Sequence, residues 1–138
     1  MFKNIFFAGL TASIFGTIIS VAYIYVFKYS PLEVDFTEKA SLMYLMSFNF
    51  MIGMITCFGY FAMTKLFKKE KFAAFIIGFL LSGVAVALAL KFMFTVDTQL
   101  VFKNENAELY KDFYYFILAP VAFFPVLSWF TFKPIFIK

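Results

Sequence analysis

The stretch Ile5–Phe27, IFFAGLTASIFGTIISVAYIYVF, runs for 23 residues without a charged side chain. At about 1.5 Å of rise per residue, a helix of roughly 20 residues already crosses the hydrocarbon core of a bilayer. It is too long for the apolar region of a secretory signal, and no small-x-small cleavage site precedes the polar Lys28–Pro31 segment, so it is expected to remain as an anchor. Three further runs have the same character. Leu42–Thr64 is uncharged, Phe72–Phe94 is interrupted only by Lys91, and Phe113–Phe132 completes the set. None alternates apolar and polar residues with period two, which argues against a membrane β-barrel. The expected fold is an all-α integral membrane protein: a single four-transmembrane-helix bundle over residues 1–138, with spans at 5–27, 42–64, 72–94 and 113–132.

Composition supports the same class. The 138 residues are 64% apolar and 24% aromatic, with only 14% charged and a mean hydropathy of +0.90. Globular domains run at about 45–50% apolar and about 25% charged. So short a chain cannot bury that excess in one aqueous core, and lipid must cover it.

Lysine placement orients the spans. With the N-terminus inside, the inner segments carry Lys3, Lys65, Lys68, Lys69, Lys71, Lys133 and Lys138, seven lysines against five outside. Four of the seven crowd the Lys65–Lys71 turn. Cytoplasmic loops are enriched in basic residues, so both termini are expected to be cytoplasmic in a bacterial inner membrane. Tyr23, Tyr25, Tyr29, Tyr44, Tyr110, Tyr114 and Tyr115 gather at the other expected interface, while Tyr60 and Trp129 lie towards the lysine-rich side. The outer connection holds 96–102, which could form a short strand or an interfacial segment, and 104–111, which could start span four early.

The residues that are missing bound the chemistry. There is no His and no Arg, and Cys57 is the only cysteine. The chain therefore has no imidazole ligand for haem, zinc or copper, no His-based catalytic relay, no bidentate guanidinium and no internal disulfide. No Asp or Glu lies inside a span, and coupling to protons or cations usually relies on an ionisable group at depth. The basic residues sit between apolar runs and form no continuous basic face for nucleic acid. No cofactor, haem or metal is expected, and the chain is not expected to be an enzyme. The outer acids Asp97, Glu105, Glu108 and Asp112 would be the only acid–base groups for one acting on lipid, and they read as a solvated loop.

Two sets of residues remain as candidates. Ala8, Ala12, Gly16 and Ser20 place a small residue at every fourth position of span one, with Gly9, Ser13 and Thr17 beside them; Ala74, Gly78, Ser82, Ala85 and Ala89 repeat the theme in span three. Such rows let helix backbones approach closely. The second set is polar or helix-breaking: Asn49, followed by Gly53 and Cys57 at four-residue steps, then Tyr60, Lys91, Pro120 and Pro125. Pro120 and Pro125 are expected to kink span four, and Lys91 to reach its ammonium to the interface. Five methionines in span two fall all around the helix and serve as apolar filler. The expected role is a noncatalytic inner-membrane subunit that stabilises a larger complex, in contact with lipid and with other membrane subunits or further copies of itself. The competing expectation is a small oligomeric transporter or channel for a neutral or lipid-like substrate, in which the polar set faces a shared cavity.

Overall fold

The computed structural model describes residues 1–30, 37, 40–67, 69–95 and 119–137. Among these the chain is all-helical, without strands. Three long helices, α1 (Phe2–Lys28), α2 (Leu42–Phe67) and α3 (Glu70–Thr95), are followed by a 3-10 helix, Ala119–Ala122, and by α4 (Phe124–Phe136). Four helical segments are long and apolar enough to cross a membrane: Phe2–Lys28, Leu42–Phe67, Glu70–Lys91 and the composite Ala119–Phe136. The segments 96–102 and 104–111, and the first residues of the expected fourth span, lie outside the described residues.

The helices overrun the charge-free runs by a turn or less, because a polar residue at a span end can sit at the interface while its backbone stays helical. α1 takes in Lys3 and ends on Lys28, favourable against the negative end of the helix dipole. At the start of α2, the Ser41 hydroxyl accepts a hydrogen bond from the Tyr44 amide (3.3 Å), a side-chain N-cap. α3 opens on Glu70, whose charge suits a helix N-terminus. The largest boundary difference is in α4, which continues past Phe132 through Lys133 and Pro134 to Phe136.

All four helices are apolar around their whole circumference, so hydrophobic periodicity does not select the inner face. Size does. The buried residues of α1 are Ile5, Ala8, Gly9, Ala12, Ser13, Gly16, Thr17, Ser20 and Ile24, whereas Phe7, Ile14, Phe15, Ile18 and Val26 are exposed. Lipid covers large apolar side chains as well as protein does, and small residues gain most from helix contact. α1 packs between α2 and α4, α2 packs on α3, and α3 closes against the 3-10 helix.

Neighbouring helices run antiparallel. At one end the Phe2 ring meets Phe61 edge-on with centroids 5.0 Å apart, and the Lys133 ammonium lies 4.9 Å from the Tyr60 ring centroid. At the other end Tyr23 meets Phe124 at 5.3 Å. The start of α1, the α2–α3 turn and the end of α4 therefore share one end of the bundle.

Candidate functional site

The polar groups of the core collect along the seam between α1 and α2. Because the helices are antiparallel, the row Gly9, Ser13, Gly16, Ser20 descends along the row Cys57, Gly53, Asn49. At each level a residue with little side chain faces one carrying a polar atom. A Cβ at Gly9 would strike Cys57 Sγ, and one at Gly53 would strike Ser13 Oγ. One at Gly16 would lie 2.5 Å from Asn49 Oδ1. A methyl at any of these points would force the facing side chain, or the helices, to shift.

The hydrogen bonds of the seam are mostly local. Ser13 and Ser20 donate to the carbonyls of Gly9 and Gly16, each at 2.7 Å, and Thr17 to that of Ser13 at 2.8 Å. Two bonds cross between helices. The Cys57 thiol donates to the Ile5 carbonyl (3.3 Å), and Asn49 Nδ2 donates to Ser20 Oγ (3.4 Å) as well as to its own helix at Leu45 O (2.8 Å). Asn49 is fully buried, yet its Oδ1 has no hydrogen-bond partner among the described residues; the buried Ser128 Oγ on α4 shares that condition. What Oδ1 faces is the Cα–H of Gly16, the weak donor that a glycine offers at a close helix contact.

Gly16 is also where the broken segment arrives. The position of its absent Cβ lies 3.4 Å from Pro125 Cα. Pro120 and Pro125 do not kink one continuous helix, as the sequence suggested; they bracket a change of helix. Pro120 sits in the 3-10 helix and accepts from the Phe123 amide (3.0 Å). Phe123 is the N-cap of α4, and Pro125 falls in its first turn, where a helix needs no amide donor. Irregular backbone at membrane depth is tolerated when protein covers it, and Val121 and Ala122 are 2% and 0% exposed.

The candidates are therefore not one constellation. Asn49 and Pro125 meet through Gly16. Tyr60 lies at the other end of the core, edge-on to Trp129 with centroids 5.9 Å apart and under the Lys133 ammonium. Both rings are fully buried between helices, and Lys133 and Ser128 had no site role in the sequence reading. Pro120 is half-buried and Lys91 is exposed on α3. Of the small residues, Ala8, Ala12, Gly16, Ser20, Ala85 and Ala89 are buried, Ala74 and Gly78 half-buried and Ser82 exposed. The buried row of α3 is Ala73, Ile77, Leu81, Ala85, Ala89; it runs one position off Ala74, Gly78 and Ser82 and shares Ala85 and Ala89 with the expected row of small residues.

Two clefts flank this core. One of 180 Å³ lies at the Ser41 end, against Val21, Ile24, Thr37 and Leu45. The other, of 320 Å³, is an apolar furrow between α2 and α3. Asn49 lines neither. Among the described residues no three of Cys, Asp and Glu come together. The seam's chemistry is that of a helix lock, with no ionisable side chain except the buried Cys57 thiol. No family model matches the chain, and no curated protein or solved structure matches it.

Proposed function

We propose that the chain is a noncatalytic subunit of the bacterial inner membrane, with both termini cytoplasmic, that packs against and stabilises a larger membrane protein complex. One observation carries this reading: Gly83. A glycine inside a helix costs roughly 0.5–1 kcal/mol relative to alanine. Among the described residues nothing uses the space it leaves, since a Cβ there would meet no atom within 4 Å. Gly83 is exposed on α3 together with Ser82 and Ala87, flanked by Phe79, which is 74% exposed. Lipid needs no glycine, whereas a partner helix pressed against the backbone does.

Purification from native membranes at low detergent, with the wild type and Gly83→Leu compared, tests the assignment. The wild type is expected to bring down a membrane partner and the variant to lose it while keeping its own fold. A wild-type chain that emerges as a lone, stable monomer overturns the reading. The proposed sidedness rests on the seven inner lysines and is tested by reporter fusions at both termini.

A second reading has its own support in the break at Pro120–Pro125 beside Asn49, since discontinuous helices line the binding sites of some transporters. In that case the chain works as an oligomer, conducting a neutral or lipid-like substrate. Flux through reconstituted vesicles that is indifferent to Asn49→Leu removes it.

A further inference from the structure

The furrow between α2 and α3 is floored by side chains that stop short. Gly59 approaches α3 so closely that a Cβ would lie 3.3 Å from Ile77 Cδ1, and the exposed Ala62 adds only a methyl. The walls rise on either side at Ile55, Leu66, Leu80 and Val84, all half or more exposed or nearly so, and the trough of 320 Å³ lies open to the bilayer. Its one hydroxyl, Thr56, is turned away and donates to Ile52 O at 2.7 Å, so the furrow presents no free polar group.

Length and direction narrow what fits. From Ile55 to Leu66 the helix rises by about 16 Å at 1.5 Å per residue, close to half of the roughly 30 Å hydrocarbon core. The furrow is thus one leaflet deep. It ends at Leu66, where the sequence carries Lys65, Lys68, Lys69 and Lys71 against the single acid Glu70. Lys65, Lys69 and Lys71 are exposed, and the Lys65 ammonium lies 4.7 Å from the Phe61 ring centroid, on the last turns of the same helix. Basic clusters at the end of membrane helices attract anionic headgroups. A strip that is apolar for one leaflet and cationic at its rim has the charge pattern of a phospholipid in reverse.

We infer that this furrow binds one acyl chain of an anionic phospholipid, with the headgroup held at the Lys65–Lys71 turn. The site is distinct from the partner-binding role proposed for Gly83, which does not line the furrow.

Reconstitution into phosphatidylcholine vesicles with spin-labelled phosphatidylglycerol or spin-labelled phosphatidylcholine, present in both leaflets, tests the site whichever way the chain inserts. The expected spectrum shows a motionally restricted component that is larger for phosphatidylglycerol. Ala62→Phe fills the trough and Val84→Trp narrows it from the other wall; both positions are exposed, so the core is spared, and unchanged helix content in circular dichroism verifies the fold. Each is expected to remove most of the restricted component. Replacing Lys65, Lys68, Lys69 and Lys71 by Gln is expected to leave the component but abolish the preference for phosphatidylglycerol. Equal restriction of the two lipids by the wild type overturns the inference. So does a restricted component that folded Ala62→Phe and Val84→Trp leave unchanged, which is the result if a protein helix occupies the furrow.

Discussion

Gly53→Ala puts the closeness of the α1–α2 seam to the test. The added methyl runs into Ser13 Oγ and comes within 3.1 Å of the Gly9 carbonyl oxygen and 3.3 Å of Ser13 Cβ. The hydroxyl can rotate away, but it then gives up its 2.7 Å bond to Gly9 O, a net loss of about 1 kcal/mol. The backbone carbonyl has no such escape, so the helices must part by a few tenths of an ångström, and overpacking of this kind costs about 1–3 kcal/mol. Alanine recovers up to about 1 kcal/mol as the better helix former. The balance is a destabilisation of about 1–3 kcal/mol.

Trp129, the single tryptophan, is 1% exposed and packs on Tyr60, so its emission follows loss of the core during denaturation in mixed micelles. Two comparisons make the result interpretable. Gly83→Ala meets no atom within 4 Å and is expected to be neutral or slightly stabilising. Ser13→Ala combined with Gly53→Ala removes the struck hydroxyl, and the pair is expected to be less damaging than the sum of the single changes by about 1 kcal/mol. If Gly53→Ala is as stable as Gly83→Ala, or the two seam mutations simply add, α1 and α2 are not in close contact at Gly53.

Other consequences of the seam can be measured in the same way. Asn49→Leu removes an interhelical bond of a type worth about 0.6 kcal/mol on average in membranes, together with an unpartnered carbonyl, so stability should change by less than about 1 kcal/mol; Asn49→Asp places an acid there and should cost about 2.5–3.5 kcal/mol in insertion or folding assays. Replacing both Pro120 and Pro125 by Ala supplies the two missing amides and should raise helix content in circular dichroism, an increase that a merely kinked helix would not show to the same extent. Cys57, fully buried and hydrogen-bonded to α1, should react with a maleimide only as fast as the bundle opens; rapid labelling of the folded chain would contradict its position against Gly9.

The spans were legible because the signals that define them are local: length, and freedom from charge. The seam was partly legible for a related reason. Small residues at every fourth position of α1, and Asn49, Gly53 and Cys57 at the same step in α2, lie on one side of any helix. Which row of α3 turns inward was not legible. The row from Ala74 and the row from Ala73 are one residue apart until they merge at Ala85, on a helix apolar all round, and packing against the neighbouring helices decides between them. Here large residues won, since Ile77 and Leu81 reach across to α2 instead of letting the backbones touch. The prolines misled for a different reason. A proline inside a helix kinks it, but a proline in a first turn breaks nothing, and the sequence does not mark where α4 begins. Nor did the sequence show that Tyr60 and Trp129 pack edge-on against each other inside the bundle, since they come from helices far apart in the chain.

Small residues alone do not identify a helix contact; what stands opposite them does. Gly9 faces the Cys57 sulfur, Gly53 the Ser13 hydroxyl, Gly16 the Asn49 amide, Gly59 the Ile77 methyl and Gly78 the Phe130 ring. In each case the missing side chain is the space into which a neighbour projects, so the helix cost of the glycine is offset by contact. Gly83 is the sixth of six, and it faces no atom of the described residues. Its surroundings follow the same pattern from one side only, with a bare backbone flanked by Ser82, Phe79 and Ala87. If the rule that accounts for the other five holds, the projecting group lies outside the described residues, and on the proposed reading a partner helix supplies it. That reading puts the protein's role on the surface the bundle leaves unmatched, more than on the polar groups it has enclosed.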